Sequence, residues 1–189
     1  MRQIGALPTS LEVNGREYGI YSDFRSCLAV LQAMGDEELD DWQKVQVCLA
    51  LYEAFETDAM PPEDYEAAYM AACDFLDHGG DDDRRPPQRL MDWGQDEDIL
   101  FPAVNRAAGF EVRAVEYLHW WTFLGCLMSV DHESVWATVL SLRSKRAKGK
   151  SLEKWEAEYW AANKGICQLR HKDTPEEKAR REELKKLFV

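Results

Sequence analysis

The chain has 189 residues, the size of one domain or of two small ones. Apolar residues make up 46% of it and charged residues 31%, a composition that excludes general disorder. Its formal net charge of −12 argues against nucleic acid or an anionic membrane as the partner of the whole molecule.

The charge is unevenly distributed along the chain. Residues 1–100 contain 7 basic and 23 acidic side chains, whereas residues 101–189 contain 16 basic and 12 acidic ones. The net charges are therefore −16 and +4. This asymmetry either concerns the solvated surface alone or aligns neighbouring copies head to tail, so a homo-oligomer is one possible form of the protein.

Cysteine usage points to a reducing compartment. The five cysteines form neither a C-x-x-C motif nor a zinc-finger pattern with histidine. Most fall on apolar helix faces, where free cysteine acts as a small hydrophobic residue. The start of the chain lacks the apolar core of a signal peptide, and the longest nearly apolar stretch, 117–130, is too short to span a bilayer. We therefore expect a soluble, intracellular protein.

Residues 9–21 have the pattern of a β-hairpin. Apolar residues alternate on both sides of Asn14-Gly15, a pair that accepts the positive φ angles of a two-residue turn. An isolated hairpin is only marginally stable, so we expect it to pack against helices. The pattern then becomes helical: Ser22 can cap a helix that reaches Met34, and Gly35 can end it.

Two more helices precede a polar loop. One opens at Asp40 or Asp41, and the other starts at Pro61-Pro62, where a missing N–H does no harm. The apolar stripe predicted for the first comprises Trp42, Val45, Leu49 and Tyr52. Residues 78–92 are rich in glycine, aspartate and proline, so we expect a mobile loop there.

The centre of the fold is predicted at residues 114–129. This stretch is apolar nearly all round, which is typical of a buried central helix. The helix before it runs from Asp96–Asp98 to Ala108, where Gly109 stops it, and Pro102 either delays its start to Ile99 or kinks it. The sequence thus predicts a mainly α fold: a single helical domain over residues 1–171 with an N-terminal hairpin.

The C-terminal part contains further helix signals. Asp131 can cap a helix with Val135 and Val139 on its inner side, which ends in the basic run 143–150. Ser151 can cap the next helix, which Gly165 would end. A capping box at Thr174-Pro175-Glu176-Glu177 predicts a C-terminal helical arm over residues 172–189.

Three polar groupings are candidates for chemistry. Asp92, Asp96 and Asp98 suggest either a cation site or the acidic start of a helix, which the helix dipole favours. The basic run 143–150 has no interleaved aromatic residue, which favours a solvated helix end over a phosphate site. A catalytic histidine needs a nucleophile beside it, and the sequence contains no nucleophile motif. We therefore expect His119 to bond to a backbone carbonyl or a neighbouring side chain.

No motif indicates a cofactor or an enzyme. The sequence contains no P-loop, no dinucleotide fingerprint and no zincin motif. We therefore expect a non-catalytic protein without a cofactor, with a metal-assisted hydrolase that uses Asp92, Asp96 and Asp98 as an alternative.

Several stretches, in order, resemble the bacteriophage gp-fifteen family, whose members are encoded among the tail genes of long-tailed phages and prophages. The resemblance covers about residues 7–170, and the most specific stretch is Tyr117-Leu118-His119-Trp120-Trp121. The other stretches include Leu7-Pro8-Thr9-Ser10-Leu11, Val13-Asn14-Gly15-Arg16-Glu17-Tyr18, Ser22-Asp23-Phe24-Arg25, Asp96-Glu97-Asp98-Ile99, Ala108-Gly109-Phe110 and Leu142-Arg143-Ser144.

The resemblance implies a role in tail morphogenesis in the cytoplasm of the bacterial host. A tail assembly chaperone would bind and shield the tape-measure protein or another tail protein, whereas a structural tail or neck component would remain in the virion. Aromatic and aliphatic side chains that leave the core are the expected contacts. The candidates are Trp155, Tyr159, Trp160, Leu184, Leu187 and Phe188.

Overall fold

A computed structural model describes residues 5–78 and 89–170 of the chain. Within these residues a β-hairpin is followed by helices only, which confirms the prediction of a mainly α fold. The elements are β1 (Ser10–Val13), β2 (Arg16–Gly19), α1 (Phe24–Met34), α2 (Asp41–Leu49), α3 (Glu53–Glu56), a 3-10 turn (Pro62–Asp64), α4 (Tyr65–Leu76), α5 (Glu97–Ala108), α6 (Trp120–Met128), α7 (Val135–Ala147), α8 (Lys154–Ala162) and α9 (Lys164–Cys167).

The predicted hairpin forms with the predicted turn. Strands β1 and β2 pair antiparallel, with Val13 opposite Arg16. Asn14 and Gly15 adopt φ angles of 49° and 79°, the left-handed conformation that this two-residue turn requires. The inward side chains of the hairpin pack on α4 and α3, which supplies the support that a hairpin needs.

A buried carboxylate holds the hairpin against the start of α4. Asp64, at the end of the 3-10 turn, is only 3% exposed. It accepts hydrogen bonds from the Tyr18 hydroxyl at 2.6 Å and the Asn14 amide at 2.8 Å, and it pairs with Arg16 at 3.3 Å. The Tyr18 bond, followed by the Asn14 bond, holds the pKa of the Asp64 carboxyl below its ordinary value.

The caps of the early helices follow local rules, with one shift. Asp23, and not Ser22, caps α1 by accepting the Arg25 N–H at 2.9 Å. Ser22 turns inward instead, and its hydroxyl bonds to the Tyr117 hydroxyl at 2.8 Å. Asp40 caps α2 in a reciprocal capping box with Gln43, as its position predicts.

The expected inner position of Trp42 is wrong. The side chain is 54% exposed, whereas Cys48 and Leu49 at the other end of α2 are buried. The first turn of α2 therefore extends beyond the core, and only its last turn packs tightly. Tyr52 is buried, but it lies beyond the end of α2 and bridges to Ile20.

The predicted central helix is shorter than the apolar stretch. Helix α6 begins only at Trp120, and residues 112–116 form turns. The residues before Trp120 are held outside the helix, because the Leu118 N–H bonds to Asp23 and the Leu118 carbonyl to Phe24, at the start of α1. Met128, at the far end of α6, is 82% exposed, so α6 is not buried all round.

The C-terminal helices start later than predicted. Ser134 caps α7 where Asp131 was expected, and Glu153 caps α8 where Ser151 was expected. Each cap accepts the N–H of the third residue of its helix, and Asp131 instead accepts the Glu133 N–H in the turn before α7. Val135, expected inside, is 49% exposed.

The boundaries of α5 and α8 test the glycine and proline residues that were expected to start or end helices. Helix α8 ends at Ala162, so Gly165 does not end it but lies inside the short helix α9. Helix α5 starts at Glu97 and continues through Pro102. It ends at Gly109, whose φ of 80° is the left-handed cap that glycine favours.

The apolar side chains form two clusters in the described residues. The larger, here the main core, joins the hairpin to α1, α2, α4, α5 and α6. The smaller, here the second cluster, comprises Val139, Leu142 and Cys167 with partly buried neighbours from α5, α8 and α9. Helix α5 contacts both α6 and α7, so it connects the two. The single domain over residues 1–171 stays a prediction.

All five cysteines are free thiols. Three of them are buried in the clusters, as expected of small hydrophobic residues: Cys27, Cys48 and Cys167. Burial raises the pKa of Cys27 to about 12, and the hydrogen bond between Cys48 and Cys73 is the largest cause that raises the pKa of Cys48. These groups therefore stay protonated at neutral pH.

Two predictions fall partly or wholly outside the described residues. Of the mobile loop predicted at 78–92, residues 79–88 lie outside, and so does the whole of the C-terminal arm 172–189. Among the described residues, no helix combines the length and apolar character needed to cross a membrane.

The lowered pKa of Asp64 gives a pH dependence with a definite sign. The stability that Asp64 contributes is complete above its unfolded pKa of about 3.9 and is lost as the pH falls through the lower folded value. We expect Asp64→Asn to be less stable than the wild type at about pH 7, and the difference to shrink at about pH 3. Urea unfolding at both pH values measures it.

The matched control is Glu63→Gln, which removes an exposed carboxylate from the same turn. Its stability should track the wild type at both pH values. A difference between Asp64→Asn and wild type that stays constant with pH would show that the charge of Asp64 is not what holds the hairpin.

Candidate functional site

Two segments of the family resemblance pair with each other through their backbones. The Phe24 N–H donates to the Leu118 carbonyl at 2.9 Å, and the Trp120 N–H donates to the Ser22 carbonyl at 2.8 Å. The Asp23 carboxylate, besides capping α1, accepts the Leu118 N–H at 2.9 Å. We call this pairing of residues 22–24 with residues 118–120 the junction.

His119 holds a third segment to the junction. It is 2% exposed, and its Nδ1 accepts the Trp121 N–H at 3.0 Å, which caps α6. Its Nε2 lies 2.9 Å from the Pro8 carbonyl, to which it donates as the neutral tautomer. The expectation of a bond to a backbone carbonyl is confirmed. Both ring nitrogens have structural partners, so the geometry favours a structural His119.

The two tryptophans that follow His119 tie α6 to the end of α4. The Trp120 indole N–H donates to the Leu76 carbonyl at 2.9 Å, and the Trp121 indole N–H donates to the Phe75 carbonyl at 3.0 Å. The last carbonyls of a helix have no partner within it. The Trp120 bond supplies a partner for the Leu76 carbonyl, and the Trp121 bond adds a second one to the Phe75 carbonyl, which also accepts the His78 N–H. The most specific stretch of the resemblance therefore performs packing and capping.

A buried ion pair connects the main core to the second cluster. The Arg143 guanidinium in α7 donates to both oxygens of Asp96 at the start of α5, at 2.7 and 2.8 Å. The two side chains are 4% and 1% exposed. The guanidinium also donates to the carbonyls of Leu90, Ile166 and Cys167, at 3.0, 2.6 and 2.9 Å.

These five bonds use every N–H that a guanidinium carries. Arg143 therefore fixes the relative positions of α7, α9, the start of α5 and the segment before it. Lysine has only three donors and no planar fork, so it cannot replace this set of bonds. The prediction that the basic run 143–150 is wholly solvated is wrong for Arg143, because Asp96, 47 residues away, compensates its charge.

The aspartate cluster is organised by arginines. Asp96 binds Arg143, while Asp92 accepts the Gln95 N–H at 2.8 Å and pairs with Arg89. Asp98 is exposed in the first turn of α5. Within residues 5–78 and 89–170 no three acidic, histidine or cysteine side chains are grouped so as to hold a metal ion. This geometry gives no support to the metal-assisted hydrolase alternative.

A groove of about 610 Å³ lies beside this ion pair, between α7, α8 and α9. We call it the basic groove. Its lining includes the charged side chains of Arg89, Arg146 and Lys164 and the apolar ones of Leu90, Trp160 and Leu169.

The arginine and tryptophan of the basic groove are in contact. The guanidinium carbon of Arg146 lies 4.4 Å from the centre of the Trp160 ring, a cation–π arrangement. The groove therefore presents a positive charge beside an aromatic surface.

Next to the groove, a buried carboxylate joins α7 to α8. Glu156 is 3% exposed and accepts hydrogen bonds from Lys145 and from the Glu153 N–H. The Lys145 bond is the largest cause that lowers the pKa of Glu156. Lys145, another member of the basic run, is thus engaged with α8.

The predicted contact residues on α8 point in different directions. Trp155 is 55% exposed, and its indole N–H donates to Glu153 at 3.2 Å. Tyr159 and Trp160 are half-buried against the second cluster, and Trp160 also lines the basic groove. The remaining candidates, Leu184, Leu187 and Phe188, lie outside the described residues.

Sequence reasoning missed two features of this region. The pairing of Asp96 with Arg143 and the contribution of Arg89 to the basic groove both depend on residues distant in sequence. The only available signal was that both Asp96 and Arg143 lie within stretches of the family resemblance.

Removing one partner of the Asp96–Arg143 pair should be strongly destabilising. We expect Arg143→Met to lower the free energy of unfolding by about 3–5 kcal/mol, because the Asp96 carboxylate stays buried without its counter-charge. The double variant Asp96→Asn/Arg143→Met should lose less than the sum of the two single variants. Urea unfolding of the four proteins measures the coupling.

Arg146→Met, one turn further along α7, serves as the control because Arg146 is exposed. Its effect should stay within about 1 kcal/mol. An equally small effect of Arg143→Met, or strictly additive single variants, would refute a coupled buried pair.

Comparison with known proteins identifies the family of the chain. Residues 4–169 match the family model described as Bacteriophage Gp15 protein. No curated protein and no solved structure matches the chain. The match covers all the segments that form the junction, the Asp96–Arg143 pair and the basic groove, so the chain belongs to the bacteriophage Gp15 protein family.

Proposed function

We propose that this phage protein is a tail assembly protein that binds and shields the tape-measure protein, or another tail protein, in the host cytoplasm and has no catalytic role. Membership of the Gp15 family is the observation that carries the proposal. The sequence resembles a family whose members are encoded among the tail genes of long-tailed phages, and this resemblance supports a role in tail assembly. The structure contributes the surface through which binding would occur.

The exposed aromatic side chains support binding to another chain. Protein interfaces are anchored by a few large side chains, most often tryptophan, tyrosine and arginine. Trp155 has this character, because more than half of it is exposed although its neighbour Trp160 packs inward. Its ring lies at the start of α8, where it can meet the apolar face of an amphipathic helix.

The buried charged groups support binding over catalysis. Within the described residues, Asp64 holds the hairpin, Asp96 holds Arg143, and Glu156 holds Lys145. Each of these carboxylates is committed to neighbours that position a structural element. Their arrangement serves the packing of the fold, which is what a binding protein requires of its interior.

Co-expression with the tape-measure protein of the same phage tests the proposal. We expect the wild type to keep that protein soluble and to co-purify with it. Trp155→Ala should reduce the recovered complex about tenfold, since an anchoring aromatic contributes about 1.4 kcal/mol or more to binding. Phe110→Ala, which removes another exposed aromatic side chain after α5, is the matched control.

The C-terminal candidates are tested separately. The triple variant Leu184→Ser/Leu187→Ser/Phe188→Ser should weaken the same complex if the arm also contacts the partner. A wild-type protein that neither solubilises nor co-purifies the tape-measure protein would overturn the proposal, whatever the variants do.

The virion provides a second test. A protein that shields a partner only during assembly should be absent from finished particles. We therefore expect mass spectrometry of purified particles to detect the tail-tube and tape-measure proteins but not this chain. Its presence in a fixed copy number would instead establish the structural tail or neck component.

A further inference from the structure

The basic groove is a positively charged surface on a protein that is negatively charged as a whole. The protein carries a net charge of −12, yet the lining residues that the structure describes include four cationic side chains and no carboxylate. Arg143 among them is neutralised by Asp96, and Arg89 pairs with Asp92. Arg146 and Lys164 are exposed, so they supply the charge that an incoming group would meet.

The surface between these cations is apolar. Leu90, Trp160 and Leu169 line the groove, and Arg146 lies over the Trp160 ring. A segment that fits such a groove carries carboxylates for Arg146 and Lys164 and a large apolar side chain for the surface between them.

The protein itself contains a segment of this chemistry. Residues 36–42, here the acidic strip, have the sequence Asp-Glu-Glu-Leu-Asp-Asp-Trp and comprise most of the connection between α1 and α2 and the first two residues of α2. Glu37 and Asp41 are exposed. Trp42, at the end of the strip, is 54% exposed. The strip thus combines clustered negative charge with an outward aromatic ring.

The acidic strip and the basic groove lie side by side. A second depression, of about 420 Å³, is lined by Gly35 and Asp36 on one side and by Arg89 on the other. Arg89 also lines the basic groove. A two-fold axis can bring two copies together through such adjoining surfaces. The strip of each copy then faces the groove of the other, and both contacts form at once.

We propose that the protein forms a two-fold dimer in which the acidic strip of each copy occupies the basic groove of the other. The adjacency of the two surfaces favours this closed pair over the head-to-tail alignment that the charge asymmetry alone allows. The dimer rests on charge complementarity within this chain and does not depend on the binding of a tail protein. Trp155 is not among the residues that line the groove.

Sedimentation of the purified full chain tests the dimer. We expect the wild type to dimerise at about 50 mM NaCl and its dissociation constant to rise at least about tenfold at about 500 mM NaCl, because salt screens exposed charges. The groove variant Lys164→Glu and the strip variant Glu37→Lys/Asp41→Lys should each be monomeric. A monomeric wild type at every concentration and salt level would overturn the proposal.

Mixing the two variants gives the sharper result. In a two-fold pair, the reversed groove meets the reversed strip at one contact, and the natural groove meets the natural strip at the other. An equimolar mixture should therefore dimerise although neither component does so alone. A mixture that stays monomeric, or a wild type that forms a ladder of larger assemblies, would refute the two-fold pairing.

Lys150→Glu is the matched control, since it makes the same charge change at an exposed lysine that does not line the groove. It should dimerise like the wild type. If Lys164→Glu lowers the melting temperature, Arg146→Glu replaces it as the groove variant. Dimers that persist unchanged in both the groove and the strip variants would place the interface elsewhere and refute the proposal.

Discussion

The ion pair between Asp96 and Arg143 is the interaction on which the geometry of the C-terminal half depends. A buried charge is tolerated only when its partner and its hydrogen bonds are complete, and here all five guanidinium donors are used. The same five bonds place α7, α9 and the segment before α5 around the basic groove. The surface that we propose as an interface is thus positioned by an interaction in the interior.

The junction has the corresponding role for the main core, where it fixes the start of α1 against the start of α6. Asp23 and His119 each have two roles. Each caps a helix, and each also bonds to the backbone of a segment that is distant in sequence. Three of the segments through which the chain resembles its family, those that contain Pro8, Asp23 and His119, meet here. In this chain the junction segments serve the fold, whereas binding is a property of side chains on the surface.

Charge has separate roles inside and outside this protein. Inside, Asp64, Asp96 and Glu156 are each paired and hydrogen-bonded, which offsets the cost of burying their charge while they orient structural elements. Outside, the acidic strip and the basic groove carry exposed charges of opposite sign and adjoin at Arg89. Exposed charges of this kind steer association and confer salt sensitivity more than they stabilise the fold.

Local rules predicted several turns and helix ends whose partners are close in sequence, although the caps of α1, α7 and α8 lie one to three residues after the expected positions. The Asn14-Gly15 turn, the start of α2 at Asp40 or Asp41 and the Gly109 cap all involve neighbours within a few residues, so the sequence alone predicted them. The start of α6 and the burial of Arg143 depend on partners 95 and 47 residues away. Such bonds override helical propensity and surface charge, because a distant partner exists only once the chain has folded.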